Sequence, residues 1–143
     1  MLRVVSFLKF LSILLFLIIL LLVYAYLPVM VDIQPDENAI QLKREDFFYF
    51  AVGIFVVFNI AILGFQKLVE PLIENMDLKA WLRGIGFVVN VYLTLIIGFI
   101  GVMNNSAHLD AAGFNYLNYL GPFLIFSWFI GLIYLFINRG KTA

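Results

Sequence analysis

The residues best suited to chemistry surround the only histidine of this 143-residue chain, His108, which has Ser106 and Asp110 beside it. A histidine can carry protons, bind haem iron or sense pH. A serine hydrolase also needs a turn that positions its nucleophile, and this segment has none. One histidine cannot supply both axial ligands of a haem. We therefore interpret His108 as an ordinary loop residue.

A second polar stretch runs from Asp32 to Asp46 and is rich in carboxylates, which are ligands that calcium prefers. An EF-hand loop also needs a glycine at its sixth position, and this stretch has no glycine. The chain has no cysteine, no His-Glu-x-x-His motif and no paired aspartates in an apolar stretch. The sequence therefore predicts no catalytic residue, no metal site and no cofactor, and we expect no enzymatic activity.

Four long uncharged stretches, at residues 10–31, 47–66, 84–107 and 111–138, make up most of the chain. A hydrocarbon core about 30 Å thick is crossed by roughly 20 helical residues. Hydrophobic residues make up 64% of the chain and charged residues 13%, which leaves too little polar surface for a soluble domain. The sequence predicts an all-α integral membrane protein, a single four-transmembrane-helix bundle over residues 1–143 with spans near 6–27, 47–68, 81–104 and 117–138.

The first span could also be a signal peptide, because Val23-Tyr24-Ala25 resembles a cleavage site. Its apolar run is longer than the roughly 7 to 15 residues of a signal peptide, so an uncleaved helix that ends before Pro28 is favoured.

Alternating apolar residues at 29–33 allow a short strand. Apolar and charged residues alternate at helical spacing over 67–83, which predicts an amphipathic link on the cytoplasmic side. A helix could start at Pro71, and Asp77 could cap the N-terminus of the third span.

Asn59 and Asn90 lie at similar depth in spans two and three, so an amide pair between these helices is feasible. Such a bond contributes about 0.6 to 2 kcal/mol, and we interpret it as a packing contact rather than a solute site. Rows of small or polar residues on spans two and three should form the interior of the bundle, where they allow close helix approach. Span one, which lacks such a row, should pack loosely at the edge. The rows are Gly86, Asn90, Thr94 and Gly98 on span three and Gly53, Val57 and Ala61 on span two.

The first two spans and their connection carry a Leu27-Pro28 pair, a Pro35-Asp36 turn and the aromatic run Phe47-Phe48-Tyr49. Over about residues 20–65 this pattern resembles the N-terminal helix pair of bacterial immunity-type membrane proteins related to the sporulation-delaying-toxin immunity protein. The resemblance implies a helical hairpin and an immunity or sensory function. It assigns no role to an individual residue.

Three functions remain open at this point. The leading hypothesis is a non-catalytic subunit or assembly factor of a membrane complex, with the lipid bilayer and the helices of other membrane proteins as partners. The alternatives are an immunity or sensory membrane protein and a small-solute transporter or channel. Nucleic acid is excluded as a partner because the formal net charge is zero and no basic cluster is present. The expected location is the bacterial inner membrane.

The distribution of Lys and Arg predicts that both termini are cytoplasmic, because seven of the nine then lie on the inner side and only Lys43 and Arg44 on the outer side. We expect a fluorescent protein fused after Ala143 to fluoresce and an alkaline phosphatase fused there to be inactive. The same two reporters inserted after Asp36 should behave in the opposite way. An active phosphatase at the C-terminus would refute this topology.

Overall fold

The computed structural model describes residues 1–34, 40–105 and 111–139. Two short antiparallel strands connect the first two helices, and a turn of 3-10 helix precedes each of the last two. The elements are α1 (Leu2–Tyr26), β1 (Met30–Asp32), β2 (Gln41–Lys43), α2 (Arg44–Val69), a 3-10 turn (Glu70–Leu72), α3 (Met76–Met103), a 3-10 turn (Ala111–Phe114) and α4 (Tyr116–Arg139).

All four long helices are long and apolar enough to cross a membrane, which confirms the helical fold and the number of candidate spans. They contain 24 to 28 residues, so each is about 36 to 42 Å long. This exceeds the roughly 30 Å of a hydrocarbon core. The end turns, which contain most of the charged residues, are therefore positioned to reach the headgroup region. The strand expected near residues 29–33 is present as β1.

The helix α3 is the centre of the bundle. It lies parallel to α1 and antiparallel to α2 and α4, as two contacts along each helix pair show. These contacts are Ser12–Asn90 and Val23–Gly101, Asn59–Asn90 and Gln66–Leu82, and Trp128–Trp81 and Gly121–Tyr92. The α1–α3 contact is the most extensive in the structure, and the α3–α4 contact is the second. We call the end that carries β1 and β2 the hairpin end, and the end where α1 and α3 begin the termini end.

The expectation that the first helix packs loosely at the edge is wrong. Phe16 and Leu20 of α1 are each only 1% exposed, and the Phe16 ring stacks on Phe55 of α2 with its centroid 4.0 Å away. The buried face of α1 repeats every four residues and, apart from Ser12, consists of bulky side chains. Large residues that fit between neighbouring helices form this contact, so the pattern of small residues does not indicate it.

The small-residue row on span two also lies elsewhere than expected. Gly53 has open space beside it, Val57 is exposed, and Ala61 is exposed as well. The opposite face of α2 is the buried one. In a bilayer both faces are apolar, so no difference in hydrophobicity selects the one that faces protein. The residues of the buried face are Phe47, Ala51, Phe55, Ile62 and Gln66.

The segment at 67–83 forms no separate helix between α2 and α3. Helix α2 continues to Val69, a single 3-10 turn follows, and α3 starts at Met76. The cap expected from Asp77 is wrong, because Asn75 is the N-cap and its Oδ1 accepts from the backbone N–H groups of Asp77 and Leu78 at 2.8 and 3.0 Å. Asn and Asp are both good N-caps, so the position of the chain reversal decided between them.

At the hairpin end, Asn104 fastens the β-hairpin to the end of α3. The Asn104 side chain accepts from Asp32 N at 2.7 Å and donates to Asp32 O at 2.8 Å. The amide thus pairs with the β1 backbone as a neighbouring strand would. Val31, the preceding residue of β1, is completely buried. The hairpin is therefore fixed to the bundle rather than a free connection.

The closest helix approaches use glycines that the sequence analysis did not single out. A Cβ atom added to Gly101 of α3 would lie 2.7 Å from Val23 Cγ2 of α1, and one added to Gly121 of α4 would overlap the Tyr92 ring of α3. Gly98, only one turn from Gly101, has open space beside it. Glycine is therefore required at the first two positions and not at the third.

We expect Gly101→Leu to destabilise the protein by about 1 to 3 kcal/mol, because the added side chain must displace Val23 from a packed contact. Gly98→Leu, the same substitution on the same helix, should leave stability within about 0.5 kcal/mol. Thermal unfolding of the two variants in detergent measures the difference. Equal loss in both would show that α1 and α3 do not pack in this way.

Candidate functional site

Four polar side chains meet inside the bundle, and three of them form a hydrogen-bonded chain across three helices. Asn59 Nδ2 of α2 donates to Asn90 Oδ1 of α3 at 2.8 Å. Asn90 Nδ2 donates to Ser12 Oγ of α1 at 3.2 Å, and that hydroxyl donates to the Lys9 carbonyl at 2.7 Å. The structure thus places Asn59 and Asn90 in direct contact and adds Ser12 as their link to α1.

Asn90 is the centre of this polar network, because it is 0% exposed and both ends of its amide are bonded. Thr94 lies one turn further along α3, but its hydroxyl donates to the Asn90 carbonyl of its own helix at 2.8 Å. The Thr94 hydroxyl therefore bonds within its own helix, and among the described residues it makes no hydrogen bond to another helix. The bonds from Asn90 fix the position of α3 along both of its neighbours.

One acceptor of the polar network is unused. Asn59 Nδ2 donates to the Phe55 carbonyl as well as to Asn90, whereas its buried Oδ1 has no hydrogen-bond partner among the described residues. An unsatisfied buried acceptor costs about 1 to 3 kcal/mol. A solute held here would therefore have to offer a donor or a positive charge to Asn59.

The glycines predicted to line the packing row have different surroundings. A Cβ atom on Gly86 would lie 2.9 Å from Lys9 Cε, so Gly86 makes room for the stem of that lysine. A Cβ atom added to Gly98 would have no described atom of another helix within 4 Å. The structure therefore groups Asn59, Asn90 and Thr94, places Gly86 one turn before Asn90 beside α1, and leaves Gly98 outside the cluster.

A charged group lies near the polar network, toward the termini end. Arg83 of α3 holds Glu70 of the 3-10 turn through two contacts, one of them 3.2 Å from Nε to Oε2. The buried Gln66 of α2 donates to the carbonyls of Leu82 and Arg83 at 3.2 and 3.5 Å. These bonds tie the end of α2 to the start of α3, and Lys9 of α1 reaches the same region.

Two tryptophans fasten α4 to α3. Trp81 Nε1 donates to the Trp128 carbonyl at 2.7 Å, Trp128 Nε1 donates to the Trp81 carbonyl at 2.9 Å, and the rings stack with centroids 4.0 Å apart. Each ring also lies beside a glycine of the other helix, Gly84 or Gly131. The pair was not among the contacts expected from the sequence. The repeated Trp-x-x-Gly spacing is the signal that could have revealed it.

His108, Asp110 and Ser106 lie outside the described residues, as does the acidic stretch from Pro35 to Asn38. The interpretation of His108 as a loop residue therefore stays a prediction. Among the residues that are described, no three His, Asp or Glu side chains lie close enough to hold a metal ion together.

No protein-family model, curated protein or solved structure matches this chain. The resemblance of the first two helices to immunity-type membrane proteins therefore stays a prediction. The function has to be argued from the contacts and surfaces of the chain itself.

We expect Asn59 and Asn90 to be energetically coupled by about 0.6 to 2 kcal/mol, the usual contribution of a hydrogen bond between membrane helices. A double-mutant cycle of Asn59→Leu and Asn90→Leu measures this coupling through unfolding free energies in detergent. Thr94→Val should show no coupling to Asn59, because its hydroxyl bonds only within α3. Strictly additive losses for Asn59 and Asn90 would mean that the bond between them contributes nothing.

Proposed function

We propose that this protein is a non-catalytic subunit or assembly factor of a membrane complex, located in the bacterial inner membrane with both termini in the cytoplasm. The observation that carries the proposal is the outward direction of the small-residue row on α2. Gly53, Val57 and Ala61 face away from α1 and α3, so the chain presents this row to its surroundings.

The outward face of α2 has the properties of a helix-docking site. Small residues let two helix backbones approach closely, which drives helix association within lipid. Gly53 borders a groove of about 450 Å³ whose walls include the aromatic side chains of Tyr49, Phe50 and Phe58. No side chain of this chain lies within 4 Å of a Cβ atom added to Gly53. A helix of another protein is the occupant that we propose for this groove.

Helix α4 supports the same function. It packs mainly against α3, and Gly121 is the only buried residue among those whose burial is described in this helix. Its other faces carry large apolar side chains that point away from the bundle. A subunit of a larger assembly would use such a helix as a second lateral contact. The exposed residues include Phe123, Phe126, Phe129, Ile130, Ile133, Phe136 and Ile137.

The polar network supports a structural role rather than transport. Its side chains, Ser12, Asn59, Asn90 and Thr94, are not ionisable, and three of them bond to one another across helices. Transporters typically combine discontinuous helices with ion-coordinating groups near the middle of the membrane. Here α1, α2 and α3 each run from end to end as one helix. The transporter alternative therefore has less support than the subunit hypothesis.

We expect Gly53→Leu to weaken assembly with the partner by about 1 to 3 kcal/mol, because the added side chain fills the groove that the partner helix would occupy. The folded state should be unaffected, since the position has open space within this chain. Native gel electrophoresis of membranes dissolved in a mild detergent compares the complex in wild type and variant. Thermal unfolding of the purified chain checks its fold.

Gly98→Leu is the matched control, because it adds the same side chain at another glycine with open space, on α3 instead of α2. It should leave the complex intact. A wild-type chain that migrates as a monomer in the membrane extract would overturn the proposal. The same holds if the purified chain alone forms the observed complex, because the partner would then be a second copy.

A further inference from the structure

A cavity of about 260 Å³ opens at the termini end between α1, α2 and α3. Its volume lies just below the range of about 300 to 1,000 Å³ that is usual for small-molecule sites, so one small polar group fits it better than a large ligand. Neither the packing of the polar network nor the proposed docking face uses this cavity. The polar residues that line it are Ser6, Lys9, Gln66, Lys67, Glu70 and Arg83.

The cavity carries an excess of positive charge. Lys9, Lys67 and Arg83 contribute three cations, and Glu70 is the one carboxylate in the lining. Arg83 already holds Glu70 through its Nε and Nη2 atoms. The ammonium group of Lys9 has no carboxylate within 4 Å among the described residues, and Lys9 lies close enough to Arg83 for the two cations to repel each other. An anion in the cavity would relieve this repulsion.

The position of Lys9 is built into the helix contact. Its stem lies against α3 at Gly86, where an added Cβ atom would be 2.9 Å from Cε and 3.4 Å from Nζ. A lysine near a helix end in a membrane normally extends to water along its flexible stem. Here the glycine provides the space that lets the stem lie between α1 and α3. The ammonium group is therefore held at the cavity, and no described carboxylate pairs with it.

The cavity lies at the depth of the lipid phosphates if the four helices cross a bilayer. The uncharged part of α3 begins directly after Arg83 and continues to Met103, which is 20 residues or about 30 Å. Lys9 directly precedes the apolar run of α1 that starts at Phe10. Both cations therefore mark the boundary between the hydrocarbon core and the headgroups. Val5 and Leu63 give the cavity an apolar rim.

We propose that this cavity binds the phosphate group of an anionic membrane lipid. The Lys9 ammonium group and the Nη1 group of Arg83, which Glu70 does not use, donate to the phosphate oxygens. The acyl chains lie against the apolar rim. Basic pockets between membrane helices on the cytoplasmic side are suited to anionic headgroups, and the topology inferred from Lys and Arg places this cavity on that side.

The test is lipid titration of the purified full-length chain in a neutral detergent, followed by thermal unfolding. Phosphatidylglycerol should raise the midpoint of unfolding more than phosphatidylcholine with the same acyl chains. Lys9→Met should weaken the apparent affinity for phosphatidylglycerol about fivefold, because one cation near a headgroup contributes on the order of that factor. Glu70→Gln should strengthen it, since the cavity loses its negative charge. These opposite directions keep the test decisive if one variant folds poorly.

Arg3→Met is the control, because it removes one positive charge from the same helix at the same end of the chain, and Arg3 is exposed and does not line the cavity. It should leave the apparent affinity unchanged. Equal stabilisation of wild type by the two lipids, or equal weakening by Lys9→Met and Arg3→Met, would overturn the proposal. Titration with inorganic phosphate forms the remaining arm. Stabilisation by inorganic phosphate as strong as that by phosphatidylglycerol would identify a free phosphate, not a lipid, as the ligand.

Discussion

The fold depends on the hydrogen bonds of one completely buried amide, that of Asn90. In an apolar environment water is absent, so a polar side chain has to find its partners in neighbouring helices. Asn90 finds Asn59 on α2 and Ser12 on α1, and together these bonds fix the relative positions of three helices. Apolar packing alone permits many sliding positions, because lipid and leucine are equally apolar. The amide selects one of them.

The bundle built around Asn90 is asymmetric, and the asymmetry is what suggests its function. Helices α1 and α3 make the main contact, and α2 packs on this pair through the buried face that carries Phe55. Helix α4 is fastened to α3 mainly by Trp81, Trp128 and close glycine contacts. Two helices consequently keep large surfaces for neighbours. These outer faces are the surfaces on which the proposed role as a subunit of a larger assembly rests.

Charged groups follow a different rule from the buried amides. Arg83 and Glu70 pair with each other at the end of the apolar segment, whereas Lys9 beside them has no carboxylate partner among the described residues. If the helices cross a bilayer, an uncompensated cation is tolerated at this depth because lipid phosphates and water are available there. The same group at the level of Asn90 would be costly. The depth of each polar residue thus separates those that bond helices together from those that can bind a ligand.

The sequence by itself determined the four helices, the connection at Pro28 and the possible pairing of Asn59 with Asn90, because length, hydropathy and helical rise are local properties. On α3 the row of Gly86, Asn90 and Thr94 is buried as expected, but the sequence did not determine which face of α1 and of α2 is buried. The row at Gly53 was expected inside and lies outside, while Phe16 and Leu20 were expected at a loose edge and lie in the core. Every face of these helices is apolar, so only the tertiary structure, through interhelical hydrogen bonds and the fit of bulky side chains against glycines, decided which faces meet.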